Sequence, residues 1–293
     1  MTTCTTPLAN AERQLSDPAM ARLVKDIGVP PQPAVVAALQ AELGRDEPDL
    51  RRVAAAVASD VALTAAVLRT ANSPAYGLTR RAETLGQALA LLGLRQVGVI
   101  VSSIVLRRLI PTDGPRLTRF WDVSAKRAWA LARLARGLRG VDVDVAQTFG
   151  LFCDVGIPLL MRRFPDYGPT LQAANASKDE AFTAVEHRAH GTDHALIGAL
   201  MARSWGVSQT VCLSIRLHHD MGTFHDPRAP EVITRLLAMS LLAERAIQEF
   251  AGLNSGHEWA KGGDAVPGAL MLSEGDVLEW IEQLVDGFAQ GLA

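Results

Sequence analysis

The chain has 293 residues, of which 48% are hydrophobic and 20% are charged, so it can bury a substantial core and is not disordered throughout. Its formal net charge of -2 predicts no general attraction to nucleic acid or to an acidic membrane. Cys4, Cys153 and Cys212 show no paired metal-binding spacing and suit a reducing compartment. No secretory leader is recognisable, and the apolar run at 97–106 is too short to span a bilayer. We therefore expect a cytoplasmic protein without a membrane segment.

Helical periodicity runs through the chain, and no stretch alternates convincingly in the manner of a strand. Proline, glycine and capping residues divide this pattern into separate helices. The polar, glycine-containing stretch from Leu253 to Gly268 is predicted to be a loop. The predicted helices cover residues 8–25 with an interruption at Pro18, 35–43, 48–57, 60–71, 83–93, 97–109, 120–138, 145–163 with a break near Gly156, 170–176, 180–187, 193–205, 208–219, 232–250 and 273–288. The sequence therefore predicts an all-α fold.

An ordered corner joins the two helices predicted between residues 59 and 93. Asp60 caps the first helix, and the Asn-Ser-Pro at 72–74 must end it, because proline disfavours a helical conformation at the preceding residue. We expect Asn72 to adopt a left-handed or capping conformation, and Gly77 to need freedom that a side chain would deny. Asn72 and Tyr76 are candidate contacts for a partner, but a purely structural turn explains the corner at least as well.

The helix predicted over residues 120–138 carries a row of positive charge. Arg119, Lys126 and Arg133 repeat at intervals of seven, and residues 107–139 contain nine lysines and arginines against two aspartates. One interpretation is an anion-binding face for a nucleotide or an acidic partner. The other is a solvated helix face whose arginine stems cover apolar surface. No clearly interleaved aromatic residues indicate base stacking, so there is no strong signal for nucleic acid.

The C-terminal sequence predicts an amphipathic helix that must dock on another surface. Ser273 and Asp276 have the spacing of a capping box. An isolated helix of this length is marginal in water, so its apolar stripe needs a partner surface. That surface is either a lobe of this chain or a second copy, which would make the chain an oligomer. The stripe comprises Val277, Leu278, Ile281, Leu284, Val285 and Phe288.

The corner is also where the chain resembles a known family. The motifs SD at 59–60, ANS at 71–73, AYG at 75–77 and ALALLG at 88–93 are similar to those of the HDOD domain, a bacterial signalling module related to the HD phosphohydrolases. The resemblance implies an HDOD region over 20–220, with a helical bundle lobe at 20–111 packed on a degenerate HD-like lobe at 118–220. Residues 1–19 form an N-terminal segment, and 230–293 form a C-terminal helical extension.

The resemblance also implies where a metal cage would lie. HD phosphohydrolases hold divalent metal with a helix-borne histidine, a His-Asp pair and a distal aspartate. In this chain the position that resembles the first histidine is Val123, and the positions that resemble the His-Asp pair are Cys153 and Asp154. Valine cannot ligate metal, and only the aspartate of the pair is retained. The remaining candidates form either an altered zinc site or a set of polar residues hydrogen-bonded in the core. These vestigial-site candidates are Cys153, Asp154, His194, His218 and His219.

The function implied by the resemblance is a non-catalytic regulatory module in cyclic-dinucleotide, two-component or motility pathways. We expect no catalytic residue and no cofactor; the expected binding partner is a protein or a small anionic ligand. The first alternative is a metal-dependent phosphohydrolase with an altered cage, and the second is a sensor that holds a small anion between the lobes near Asp154 and His194. The sequence contains no GxxxxGK[ST], GxSxG or GxGxxG motif of other enzyme classes.

Overall fold

The computed structural model describes residues 6–110, 115–253 and 257–292, and these residues contain no strand, so the all-α prediction is confirmed. The helices before residue 111 are α1 Pro7–Ser16, α2 Met20–Ile27, α3 Ala34–Leu43, α4 Leu50–Ala58, α5 Val61–Ala71 and α6 Leu85–Leu109, with a 3-10 helix at Pro74–Tyr76. The later helices are α7 Pro115–Gly137, α8 Val143–Phe152, α9 Gly156–Arg163, α10 Tyr167–Ala176, α11 Phe182–His190, α12 His194–Ser204, α13 Gln209–Leu217, α14 Glu231–Phe250, α15 Glu258–Gly262, α16 Val266–Leu270 and α17 Glu274–Ala289. Further 3-10 helices lie at Met221–His225 and Gly263–Ala265.

Capping side chains fix the starts of several helices at the predicted residues. Asp60, Asp193 and Ser208 each accept a backbone N–H from the first turn of the helix that follows. Ser273 and Asp276 form the predicted capping box of α17. Non-helical backbone at Gly93 divides α6, as expected from the sequence. The local signals thus place the starts of these four helices.

The two lobes share one hydrophobic core. Helices α3 to α6 form the first lobe and α7 to α13 the second, and α6 packs against α8 between them. Helices α1 and α2 precede the first lobe in the chain but pack on the second, α1 on α12 and α13, and α2 on α9 and α12. Trp205 secures the segment between α2 and α3, because its indole N–H donates to the carbonyl oxygen of Pro30 at 3.0 Å.

The corner between α5 and α6 is held by the side chain of Asn72. Its amide nitrogen donates to the carbonyl oxygens of Leu68 and Ala82, and its oxygen accepts the N–H of Ala82 at 2.8 Å. Of the two conformations expected for Asn72, the structure shows the capping one, since Asn72 is the C-cap of α5 and its φ is -87°. Gly77 does take the left-handed region, with φ of +57°. Asn72 is therefore committed to the fold, while Tyr76 faces the second lobe.

Helix α17 docks on α14 and α7 of its own chain, which resolves the alternative left open by its periodicity. Val277, Ile281, Leu284 and Phe288 are buried there, as predicted. Leu278 does not belong to the buried stripe, because it is 63% exposed. It follows Val277 by about 100° around the helix, which turns it away from the surface that α14 and α7 provide.

The predicted loop over residues 253–268 is partly helical. Within the described residues 257–270, α15, a 3-10 helix and α16 follow one another and pack on α14, while 254–256 lie outside the described residues. Helices of five residues are too short to show a period and are stabilised by tertiary contacts. The prediction of an irregular loop was therefore wrong for residues 258–268.

The basic row of α7 is largely covered by the C-terminal helices. The Lys126 ammonium pairs with Asp122 and lies 5.4 Å from the ring centre of Phe250. The Arg133 guanidinium lies 5.2 Å from the ring centre of Trp280. Of the two interpretations of this row, the packing favours basic side chains whose stems cover apolar surface. Arg119 at the start of the row is exposed.

Within the described residues, two helical stretches are long and apolar enough to cross a bilayer by length and composition, Leu85–Leu109 and Val143–Arg163. The apolar window is 50% buried inside the protein in the first and 67% buried in the second. The first stretch is longer than the apolar run considered from the sequence, because the helix continues on both sides of that run. A large share of the apolar residues of this first stretch are buried in the hydrophobic core.

Candidate functional site

Four potential metal ligands converge at the ends of three helices in the second lobe. Asp154 lies in the turn between α8 and α9, His194 opens α12, and His218 and His219 directly follow α13. Gly156 makes this possible, because a Cβ atom there would lie 2.1 Å from the carbonyl oxygen of His194. Only glycine lets the start of α9 approach α12 so closely, and this contact brings Asp154 to His194.

The ligand atoms of these four residues all lie within 4.8 Å of one another. Oδ1 of Asp154 is 3.3 Å from Nε2 of His218 and 3.6 Å from Nε2 of His194. The two Nε2 atoms are themselves 3.2 Å apart. Their close approach requires a shared proton or a cation between them, because two lone pairs would repel one another.

Each histidine is oriented by an acceptor for its outer ring nitrogen. Nδ1 of His194 is 2.7 Å from Glu186, Nδ1 of His218 is 2.6 Å from the carbonyl oxygen of Ile215, and Nδ1 of His219 is 2.6 Å from Glu258. When Nδ1 carries the hydrogen, the neutral imidazole presents its Nε2 lone pair to the centre of the cluster. This arrangement is typical of histidines that ligate metals in proteins.

Further side chains hold these acceptors in place. Tyr167 donates its hydroxyl hydrogen to Glu186, and Lys261 donates to Glu258 at 2.9 Å. Burial opposes the ionisation of Glu258, but His219 and Lys261 lower its pKa to about 2. Burial and the neighbouring His218 lower the pKa of His219 to about 4. Both glutamates are therefore held as anions behind histidines, and His219 is held neutral at neutral pH.

Arg127 introduces a fixed positive charge on the other side of Asp154. Its guanidinium donates to Oδ2 of Asp154 and to Glu244, and its side chain is only 7% exposed. Burial by itself raises the pKa of Asp154, but Arg127 and His218 hold that pKa well below its usual range. Burial likewise opposes charge on His218, yet Cys153 and Asp154 raise its pKa well above its usual range. The cluster is therefore a compensated network of charges.

The geometry fits one cation and does not fit two. Oδ1 of Asp154, the Nε2 atoms of His194 and His218 and a ring nitrogen of His219 offer a four-donor set of the kind that zinc or another borderline metal prefers. A second cation beside Oδ2 of Asp154 would have to displace the guanidinium of Arg127. The residues thus match a mononuclear site and leave no room for a dinuclear one next to Glu244.

The structure assigns different places to the sequence candidates. Asp154, His194, His218 and His219 come together, whereas the Sγ atom of Cys153 lies 3.9 Å from the hydroxyl of Ser240 and is not one of the four clustered donors. On α7, the residue that reaches Asp154 is Arg127 and not Val123, which packs against the core. Arg127 therefore occupies the side of the site that faces α7.

Several side chains at the site were not predicted from the sequence. Arg127 was counted only among the nine basic residues of 107–139, although it lies seven residues after Phe120 and four before Leu131, on the buried side of α7. That spacing was a usable signal. Glu186, Glu258 and Tyr167 had no such signal, because their roles depend on contacts between separate helices.

A small pocket opens onto the cluster. It has a volume of about 160 Å³ and contains the side chains of Arg127, Asp154, Phe182, His218, His219, Glu244 and Glu258 in its wall. His194 is fully buried beneath it. Three carboxylates in the wall favour a cation or a polar neutral group over an anion.

Comparison with known proteins agrees with this architecture. A 1.62 Å crystal structure named "Putative phosphohydrolase", from Shewanella amazonensis SB2B, has a TM-score of 0.71 and 22% identity, covering 95% of this chain and 97% of that one. A "Putative signal transduction protein" of Marinobacter aquaeolei VT8 has a TM-score of 0.69 and 22% identity, covering 98% of this chain and 65% of that one. At these identities the similarity shows the fold.

A curated relative and a family model extend the comparison to sequence. An "Uncharacterized protein" of Treponema pallidum (strain Nichols) is 23% identical over 226 residues, which is 76% of this chain. The chain spans 43% of the length of that relative. The family model of the HDOD domain matches residues 29–221, which contain the first lobe, the Asp154 cluster and the corner. The chain therefore belongs to the HDOD domain family.

Proposed function

We propose that this chain is a non-catalytic regulatory module of bacterial signal transduction, which acts by binding a protein or a small ligand. The observation that carries the proposal is the placement of Arg127 between Asp154 and Glu244. The guanidinium supplies internally the positive charge that metal ions supply to phosphohydrolases of the related HD class. A carboxylate whose outer oxygen is already paired has less capacity to bind metal and orient water.

The experiment that tests this proposal is a hydrolysis assay on metal-loaded protein. The purified chain is incubated with Mn²⁺, Fe²⁺ or Zn²⁺ and then with p-nitrophenyl phosphate or a cyclic dinucleotide. We expect no turnover above that of an Asp154→Asn variant. Turnover by the wild type that Asp154→Asn abolishes and His187→Ala preserves would contradict the proposal. His187 is a suitable control because it is an exposed histidine of α11.

A metal-dependent phosphohydrolase with an altered cage is the second candidate. It is favoured by the four clustered donors and by the acceptors behind three histidines. A cation held there would act as a Lewis acid toward a phosphate oxygen, and Asp154, His194, His218 and His219 would hold it. This candidate requires near-equimolar metal in the active protein, measured by elemental analysis, as well as turnover. Bound metal without turnover would indicate that the metal at the cluster has a structural role only.

The proposal includes a protein partner and a cytoplasmic location. The related structure named as a signal transduction protein supports a regulatory role, and the resemblance of the chain suggests cyclic-dinucleotide, two-component or motility pathways. Co-purification with the tagged chain from its source cells would identify the partner. An anion sensor near Asp154 and His194 is less well supported, because three carboxylates line the only opening described there.

A further inference from the structure

A second cleft lies between the lobes, and none of the four clustered metal-ligand candidates lines it. Its volume is about 420 Å³, within the range of small-molecule sites in proteins. Its walls come from α5, α6, α7 and α8, from the corner that Asn72 holds and from Gly291 beyond α17. The cleft thus uses the segment that carries the family motifs, which the Asp154 cluster does not use.

Three arginines from three different helices border this cleft: Arg69 on α5, Arg107 on α6 and Arg136 on α7. No aspartate or glutamate lines it, and none of the three forms an ion pair with a carboxylate in the described part of the chain. Like charges gathered around one concave surface repel one another, and an anion bound among them would relieve that repulsion. Guanidinium groups are also the preferred protein donors to phosphate oxygens.

The wall of the cleft contains a buried polar group that has no partner among the described residues. Gln147 is only 9% exposed, and its Oε1 atom makes no hydrogen bond to that part of the chain. Its amide nitrogen donates to the hydroxyl of Tyr76 at 3.4 Å. A buried unpaired acceptor is costly, so its retention at the wall of a cleft is expected where a ligand or a bound water supplies the donor. Burial raises the pKa of Tyr76, so its hydroxyl stays protonated.

We infer that this cleft binds a phosphorylated small molecule with an aromatic ring, of the nucleotide class. Arg69, Arg107 and Arg136 contact the phosphate oxygens, and the ring packs beside Trp129 and Tyr76, which also line the cleft. The inference names a ligand class for the proposed binding role and rests on that role. An acidic protein segment is the competing occupant, but a concave cleft with a buried amide suits a small molecule better than an extended chain.

Calorimetric titration of the full-length chain tests the inference. The titrants are GMP, GDP, GTP, ATP, guanosine and inorganic pyrophosphate, in buffer with EDTA so that the Asp154 cluster is kept free of metal. We expect a phosphorylated nucleoside to bind more tightly than either pyrophosphate or guanosine. The variant Arg69→Ala/Arg136→Ala should bind it at least about tenfold more weakly. Gln147→Leu should also weaken binding while the melting temperature is maintained.

The matched control is Arg80→Ala/Arg81→Ala, which removes the same charge from exposed arginines of the corner that do not line the cleft. This variant should keep wild-type affinity. The inference is overturned if no nucleotide binds at about 1 mM, or if both double variants bind alike. It is also overturned if polyglutamate binds as tightly as any nucleotide, since the cleft would then be a face for an acidic partner. Turnover at the Asp154 cluster would overturn the proposed regulatory function without affecting this titration.

Discussion

Replacing Arg127 with leucine removes two ion pairs from the interior of the second lobe in one step. The side chains of Arg127, Asp154 and Glu244 are 7%, 15% and 29% exposed, so both pairs are shielded from water. Removing one partner of a buried pair costs roughly 3–5 kcal/mol, because the other charge is left uncompensated. Asp154 keeps contact with two histidines, and Glu244 keeps the amide of Gln248 at 3.0 Å. We therefore expect the lower end of that range, about 3 kcal/mol.

The assay is thermal and urea unfolding of Arg127→Leu beside Arg119→Leu. For a chain of 293 residues, 3 kcal/mol corresponds to a fall in melting temperature of about 5 °C. Arg119 lies on the same helix and is exposed, so its replacement should change the free energy of unfolding by less than about 0.5 kcal/mol. Equal melting temperatures for the two variants would refute the account of Arg127 as the internal counter-charge.

Zinc provides an independent readout of the same replacement. Removing Arg127 frees the second oxygen of Asp154, so Arg127→Leu should bind Zn²⁺ more tightly than the wild type does. A ligand that binds only the folded state raises its stability according to its affinity, so zinc should raise the melting temperature of the variant by more. Adding Asp154→Asn should abolish that gain. A zinc response unchanged by the loss of Arg127 would show that the guanidinium does not compete with metal.

Two further replacements test how the site and the C-terminal extension are held. Gly156→Ala should destabilise the chain by about 1–3 kcal/mol and lower its affinity for zinc, because the added Cβ would meet the backbone of His194. The control is Gly275→Ala, whose Cβ would make an ordinary 3.7 Å contact and should leave the free energy of unfolding nearly unchanged. Ile281→Asp/Leu284→Asp should lower the melting temperature without changing the mass in solution, because both side chains are buried within the chain. Leu278→Asp, at an exposed position, should leave the melting temperature unchanged. A change in mass for the double variant would show that the contact is between copies of the chain.

Much of the fold could be predicted from local physical chemistry. The starts of α5, α12, α13 and α17 follow from an oxygen-bearing side chain at the N-cap, and the break in α6 follows from Gly93. The positive φ at Gly77 was likewise predictable from its place after a short turn. These features involve residues within a few positions of one another, so the sequence itself contains the interacting groups.

The candidate site was predictable only in its residue types. The sequence identified Asp154 and the three histidines as possible ligands, but it could not place them within 4.8 Å of one another. The tertiary structure decided that Arg127 and not Val123 faces Asp154, that Cys153 faces Ser240, and that α17 covers the basic row of α7. These outcomes depend on how distant helices pack, and periodicity defines the apolar face of a helix without defining which surface covers it.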